Sequence, residues 1–387
     1  MMDNNRLDAL LGGAAEAGKV PGVVAMAADA DGVTYTGAFG ERELGGGDAM
    51  TEDTVFLLAS MTKAVGATAA MQLVEQGELT LDGAASELLP ELAEIRVLDG
   101  FEGDQPRLRR PRSTVTLRNL LTHTSGFGYE IWNADLARYQ EQKGIPSILS
   151  GQRAALRVPL MSDPGTRWEY GTGIDWVGRL VEAASGQRLG DYFREHIFEP
   201  LGMTDTAFTM SDDARARLAT IHARTPDGRL APHPLVLEQD PEQQMAGHGL
   251  YGTAGDYLRF TRAILNNGEL DGQRILQAKT VDLMRQNHIG DLEVPAIESI
   301  DPTLSNNVEL YPGMSKKWGL SFLINTEETP EGRAAGSVAW AGLANSYYWI
   351  DHDKGVTGVY FTQILPFFDP ESAPLFQAFE QAVYNGQ

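Results

Sequence analysis

The sequence predicts an α/β plus all-α architecture, with an α/β domain assembled from both chain ends and a helical domain inserted between them. Two observations carry this. Strand-forming runs gather before residue 60 and again after residue 320, while the middle of the chain is dominated by helical patterns and loops. Neither an internal repeat nor a low-complexity tract offers another organisation. The expected division is 1–85 with 245–387 for the α/β domain and 86–244 for the insertion.

The elements follow in order. Leu7, Leu10, Leu11 and Ala14 recur at helical spacing, and Gly18 closes that helix. Val23 to Ala27 and Val33 to Thr36 flank Asp31-Gly32, the pattern of a β-hairpin. Val55-Phe56-Leu57-Leu58 is strand-like. Residues 64–76 are apolar nearly all round until Gln72, so that helix is expected to be buried on most sides and to stop at Gly77. The arginine-rich stretch 99–113 reads as a solvated loop. Helices are expected at 174–185, where Ile174, Val177, Val181 and Ala184 share a face, and at 254–266. The mixed segment 286–315 has the length of a lid or substrate wall. Strands return at 320–324, 337–341, 346–350 and 356–362, and a helix over 371–384 presents Leu375, Phe379, Ala382 and Val383 to a core.

Composition narrows the function. Of 387 residues, 42% are hydrophobic and 22% charged, as in a folded globular chain. Lys and Arg number 31 against 53 acidic residues, for a formal charge of −22. Such a surface repels phosphate backbones and anionic lipids, so neither nucleic acid nor membrane is an expected partner. The absence of cysteine removes disulfides, thiolate metal sites and cysteine nucleophiles together. The start, MMDNNRLDALL, lacks the pattern of a secretory leader, and a cytoplasmic location is expected.

Ser60 and Lys63 are the first chemical candidates. With a helix starting at Ser60, the two side chains lie one turn apart on the same face, at the positive end of the helix dipole. A partly desolvated lysine near other positive potential can lose its proton near neutral pH and act as a base on a serine. Tyr170, in the turn Pro164 to Thr172, adds a phenol able to relay protons. Trp340-Ala341-Gly342, on a candidate strand, adds a small residue and a glycine where substrate can approach backbone N–H groups.

Ser60-x-x-Lys63, then the Tyr170 turn, then Trp340-Ala341-Gly342 resembles the serine β-lactamase and penicillin-binding superfamily, nearest to its class C β-lactamase-like branch with the family VIII carboxylesterases. Leu120 to Gly126, Pro164 to Gly171 and Glu199 to Met203 support the likeness, which runs from about residue 7 to 384. The resemblance implies an antiparallel sheet flanked by helices with an inserted helical domain. It implies Ser60 as acylated nucleophile, Lys63 and Tyr170 as shared base and acid, and an oxyanion hole from the N–H groups of Ser60 and Leu343. Trp340, Ala341, Gly342 and Thr172 would line the substrate. Two departures stand out. Thr172 occupies the place of the usual Asn, and Trp340 that of the usual Lys or His. Both missing groups help hold a β-lactam, and the apolar Trp340 suits a neutral ester.

The expected activity is therefore that of a serine carboxylesterase on neutral esters with a short acyl or bulky alcohol part, through an acyl-enzyme on Ser60 and without metal or cofactor. Acyl transfer from the same acyl-enzyme, β-lactamase or D-amino-acid peptidase activity, and a non-catalytic module are the alternatives. The chain has no Gly-x-Ser-x-Gly elbow and no zinc-binding histidine spacing. His123 beside Ser125 reads as structural, and Gly247 to Gly252 as a tight turn able to line the cleft.

Overall fold

In a computed structural model, which describes residues 4–386, both chain ends build one seven-stranded antiparallel sheet. Its strands run in the order Lys316–Trp318, Leu323–Asn325, Val338–Gly342, Ser346–Asp351, Val356–Phe361, Gly22–Asp29 and Val33–Gly40. The N-terminal hairpin joins the C-terminal meander where Val24 faces Phe361 and Met26 faces Val359. Gly22–Asp29 is buried throughout except at Asp29, because helices cover the sheet on both faces.

On one face lie the helices Asn4–Glu16 and Ser372–Asn385, whose Leu7, Leu11, Phe379 and Val383 meet Ala25, Trp349 and Tyr360. Each such side chain removed from water contributes about 2 kcal/mol. On the other face lie Thr62–Gln76 and Ala254–Leu265, packed against Val24, Tyr348 and Phe361. The helix Thr62–Gln76 is buried from Thr62 to Leu73, as its all-round apolar sequence requires. It ends at Gly77. Between residues 86 and 244 the chain is mainly helix and loop, with Ala134–Lys143 and Gly173–Ser185 its longest helices.

Two expectations fail. Residues 99–113 are not all loop: Val97–Glu102 and Gln105–Arg109 pair as a hairpin turning at Gly103-Asp104. Beyond the buried Val97 and Leu98 this ribbon is exposed or half-buried, so it shows no apolar alternation. Residues 320–324 are not one strand either. Gly319 N–H bonds Phe322 O in a tight turn, with Ser321 at φ +74°, between two short strands. The small three-stranded sheet of Ile364–Leu365, Ile221–Arg224 and Leu230–His233 was not foreseen. Residues 286–315 carry no helix or strand beyond isolated bridges of Ile297 with Val308 and of Ser305 with Phe367. Among the described residues no helix is long and apolar enough to cross a membrane.

Candidate active site

The turn that presents Ser60 is built by its neighbours. Val55–Leu57 pairs with Tyr251–Thr253, and Leu58 N–H bonds Leu250 O at 2.9 Å. The chain then turns sharply at Ala59, at φ +46°, into the short 3₁₀ turn Ala59–Met61 and the helix Thr62–Gln76. A non-glycine residue in that region costs on the order of 1–2 kcal/mol, so surrounding structure has to hold it. Gly342 shares in this. A Cβ there would lie 2.5 Å from Leu58 O, so only glycine lets the strand Val338–Gly342 pack this closely against the turn. Ser60 and Leu343 emerge half-buried while the residues around them are buried. Both line one cavity.

Lys63 is 1% exposed, and its Nζ uses all three donors. It donates to Ser60 Oγ at 3.0 Å, to Tyr129 OH at 3.0 Å and to Gly247 O at 2.7 Å. The N–H of the same residue, Gly247, donates to Asp175 Oδ1 at 2.7 Å. Asp175 is fully buried, and its Oδ2 has no hydrogen-bond partner among the described residues. Burial pushes its carboxyl up to about 6, opposed by the Lys63 charge and the Gly247 N–H. His248 Nδ1 lies 3.8 Å from Asp175 Oδ1. Burial, then the Lys63 charge, pushes His248 down to about 3, so it is neutral at pH 7. The charge facing Lys63 is thus an acid held across Gly247, rather than the positive neighbour expected.

Tyr170 joins the cluster with a different partner from the one expected. The Lys63 amine sits over its ring, 4.8 Å from the centroid, while its hydroxyl accepts the Trp340 indole N–H at 3.0 Å. The phenol that hydrogen-bonds the amine is Tyr129, whose ring lies 5.3 Å from that of Tyr170. Burial above all, then Asp175, holds the Tyr129 phenol well above its ordinary range, so it is protonated at neutral pH. Tyr170 is gripped from both sides by His123, whose carbonyl accepts Glu169 N–H at 2.8 Å and whose Nδ1 accepts Gly171 N–H at 3.3 Å. His123 is buried and, chiefly by burial, well below its usual range, hence neutral. Its position is that of a brace for the Tyr170 turn. Gly171 is needed there because a Cβ would lie 2.0 Å from Phe127 O.

The cavity over Ser60 is narrow and mostly apolar. Its walls include Ile131, Trp132, Ile148, Leu149, Leu237 and Leu304, with Tyr129, Glu130, Ser147 and His248 as polar groups. Part of 128–150 and Leu304 of 286–315 thus close over it, and Ile300 N–H ties the two segments at Ile131 O, 3.1 Å. Trp340, Ala341 and Gly342 are buried, and Trp340 packs between Trp318 and Tyr170 instead of lining the cavity. Thr172 is buried too, with its hydroxyl unpartnered among the described residues. Sequence reasoning missed Tyr129, Asp175 and the Gly247 carbonyl. Asp175 carried a signal, since it is an acid flanked by Ile174, Trp176 and Val177 in an otherwise apolar helix start. Tyr129 carried none.

Comparison with known proteins agrees with this architecture. The sequence profile of the beta-lactamase family matches residues 7–381. A monacolin J acid methylbutanoyltransferase from Aspergillus terreus is 33% identical over 391 residues, covering 95% of this chain and 92% of its own. A lovastatin esterase from Penicillium rubens is 34% identical over 400 residues, covering 98% of each. A simvastatin synthase (LovD) mutant from Aspergillus terreus superposes with a TM-score of 0.85 at 33% identity, over 98% of this chain and 96% of that one. One fold in these relatives carries both acyl transfer and ester cleavage. The chain belongs to the beta-lactamase family, within the serine β-lactamase and penicillin-binding superfamily, among its serine hydrolases and acyltransferases.

Proposed function

We propose that the chain is a serine carboxylesterase acting on neutral esters with a short acyl or bulky alcohol part, through an acyl-enzyme on Ser60. The observation that carries this reading is the Lys63 amine 3.0 Å from the Ser60 oxygen, at the floor of a narrow apolar cavity.

In the proposed reaction Ser60 Oγ attacks the ester carbonyl carbon as its proton passes to the Tyr170 oxygen, paired with Lys63. The carbonyl oxygen takes up negative charge towards the N–H groups of Ser60 and Leu343. The tetrahedral adduct then collapses. The bond to the alcohol oxygen breaks, and that oxygen receives the proton through the Tyr170 phenol. The indole N–H of Trp340 supports charge on the Tyr170 oxygen while the proton is in transit. Water adds to the acyl-enzyme by the same steps in reverse, releasing the acid and free Ser60. Tyr129 and the Gly247 carbonyl hold the amine in line throughout. The scheme uses no cofactor, and its partner is the small ester itself.

Neutral substrates are favoured by what lines the site. Glu130 is the charged side chain on the cavity wall, the Trp340 indole is committed to Tyr170, and the wall offers a substrate carboxylate no arginine or lysine, Lys63 being buried below Ser60 and committed to three partners. Acyl transfer is the second reading, favoured by a wall that offers an attacking water few polar partners and by the acyltransferases among the relatives. A serine-directed phosphonate followed by peptide mass spectrometry should label Ser60. Turnover of p-nitrophenyl butyrate with graded amounts of a competing alcohol should then give the acid as main product, whereas a dominant new ester assigns acyl transfer. Retained turnover in Ser60→Ala would remove the nucleophile and both readings with it.

A further inference from the structure

Most arginines of this chain are tied to carboxylates or backbone carbonyls, as expected at a charge of −22. Four guanidinium groups have neither hydrogen bond nor ion pair among the described residues: Arg96, Arg110, Arg153 and Arg157. All four lie around two openings that share Arg96 and Glu94. The first opening, of about 590 Å³, is bordered by Arg96, Arg153 and Arg157. The second, of about 710 Å³, has Arg96 and Arg110 on its border. Nearby acids are largely spoken for. Glu91 pairs with Arg179 at 2.9 Å and Asp163 with Arg109 at 2.8 Å, which leaves Glu94 as the unpaired carboxylate facing both openings. Positive charge gathered in one concavity of an acidic protein draws anions to it.

The first opening also has an apolar wall. Trp176 lines it at 3% exposure, with an indole N–H that has no partner among the described residues. Tyr139 lies beside it, and Leu108, among the few large apolar side chains left exposed, stands on its rim. Guanidinium forks grip carboxylate or phosphate oxygens two at a time, and flat rings stack on aromatic and guanidinium planes. None of the residues lining this opening lines the Ser60 cavity.

We propose that this opening is a second binding site, for a small organic anion whose carboxylate or phosphate is held by Arg96, Arg153 and Arg157 while its flat apolar part lies against Tyr139 and Leu108, over the edge of Trp176, whose ring faces are taken up by Phe127 and Arg179. The site is joined to the catalytic cluster along one helix, since Trp176 directly follows Asp175 in Gly173–Ser185.

Titration calorimetry with 1-naphthoate, 1-naphthyl phosphate and 1-naphthol tests this on the whole chain. Both anions are expected to bind once per chain, more weakly as salt rises, and 1-naphthol roughly tenfold or more worse. The tighter anion names the head group. Arg153→Ala with Arg157→Ala should weaken the anions at least about tenfold, and the paired Lys substitutions should restore part of that. Both arginines are exposed, so an unchanged melting temperature and unchanged ester turnover identify folded variants. Capping Ser60 with the phosphonate should leave anion binding intact. If the phosphonate does not label Ser60, the esterase reading fails while the arginine variants still decide this one. Absence of binding, equal binding of 1-naphthol, or unchanged anion binding in the alanine variant overturns the proposal.

Discussion

Two buried cation and carboxylate pairs in this protein make opposite use of the same chemistry. Arg333 and Glu380 touch directly, by two parallel hydrogen bonds of 2.7 and 2.8 Å, with side chains 2% and 0% exposed. The pair ties the loop before Val338–Gly342 to the last helix. Lys63 and Asp175 are equally buried but are held apart by Gly247, whose carbonyl meets the amine and whose N–H meets the carboxylate, and one Asp175 oxygen is left without a partner among the described residues. A direct fork neutralises both charges and locks them. A pair split by a residue keeps its field across the site and leaves the amine free to point at Ser60. The first arrangement serves stability; in the proposed reaction the second serves proton transfer.

The largest effects should fall on the split pair. Lys63→Ala should lower kcat/KM for p-nitrophenyl butyrate roughly 10³-fold to 10⁴-fold, and Tyr170→Phe by a smaller but large factor. In the double variant the losses should not multiply, because the two act as one unit. Multiplicative losses in steady-state kinetics would separate their roles. Tyr129→Phe belongs in the same series: a loss equal to that of Tyr170→Phe would move the relay to the phenol that actually bonds the amine.

Glu380→Ala breaks the direct pair and strands a buried guanidinium, which should cost about 3–5 kcal/mol in denaturant unfolding. Turnover per folded molecule should stay the same. A loss of turnover without a loss of stability would contradict the division drawn between the pairs.

Protonation distinguishes them further. Asp175 has its carboxyl raised to about 6, so as pH falls through that value the site loses its negative partner. The kcat/KM profile should bend downward near pH 6, and Asp175→Asn should be slower at pH 7 and lack that bend. The sign for stability runs the other way. A raised carboxyl binds its proton more tightly folded than unfolded, so this group favours folding below about pH 4 and loses that contribution as pH rises to about 6. The smallest effect is expected of Trp340→Phe, which removes one N–H from Tyr170 and should reduce kcat by about tenfold, with little change in KM. A change confined to KM would make Trp340 a substrate contact after all.

The parts of this site that could be read beforehand are local in the chain. Ser60 and Lys63 sit one turn apart, and the helix beginning beside them announces its burial in its composition. Gly171, in the Tyr170 turn, and Gly342, at the end of its strand, are residue types that hint at close backbone approach, which Phe127 O and Leu58 O then supply. What stayed hidden depends on segments far apart in sequence. Tyr129 reaches Lys63 across 66 residues and Gly247 reaches it across 184, and no spacing rule connects them. The hairpin at 97–109 escaped for another reason: a ribbon exposed on both sides has no alternation to betray it.

The sequence by itself determined the pairing of Ser60 with Lys63, the two-ended α/β frame and the departure at Trp340, because periodicity and one-turn spacings are properties of neighbouring residues. Only the tertiary structure decided which phenol bonds the amine, that Asp175 lies across Gly247 from it, and that the Trp340 indole serves Tyr170 rather than substrate. Those are contacts between distant segments, set by how buried polar groups find partners once the core has closed.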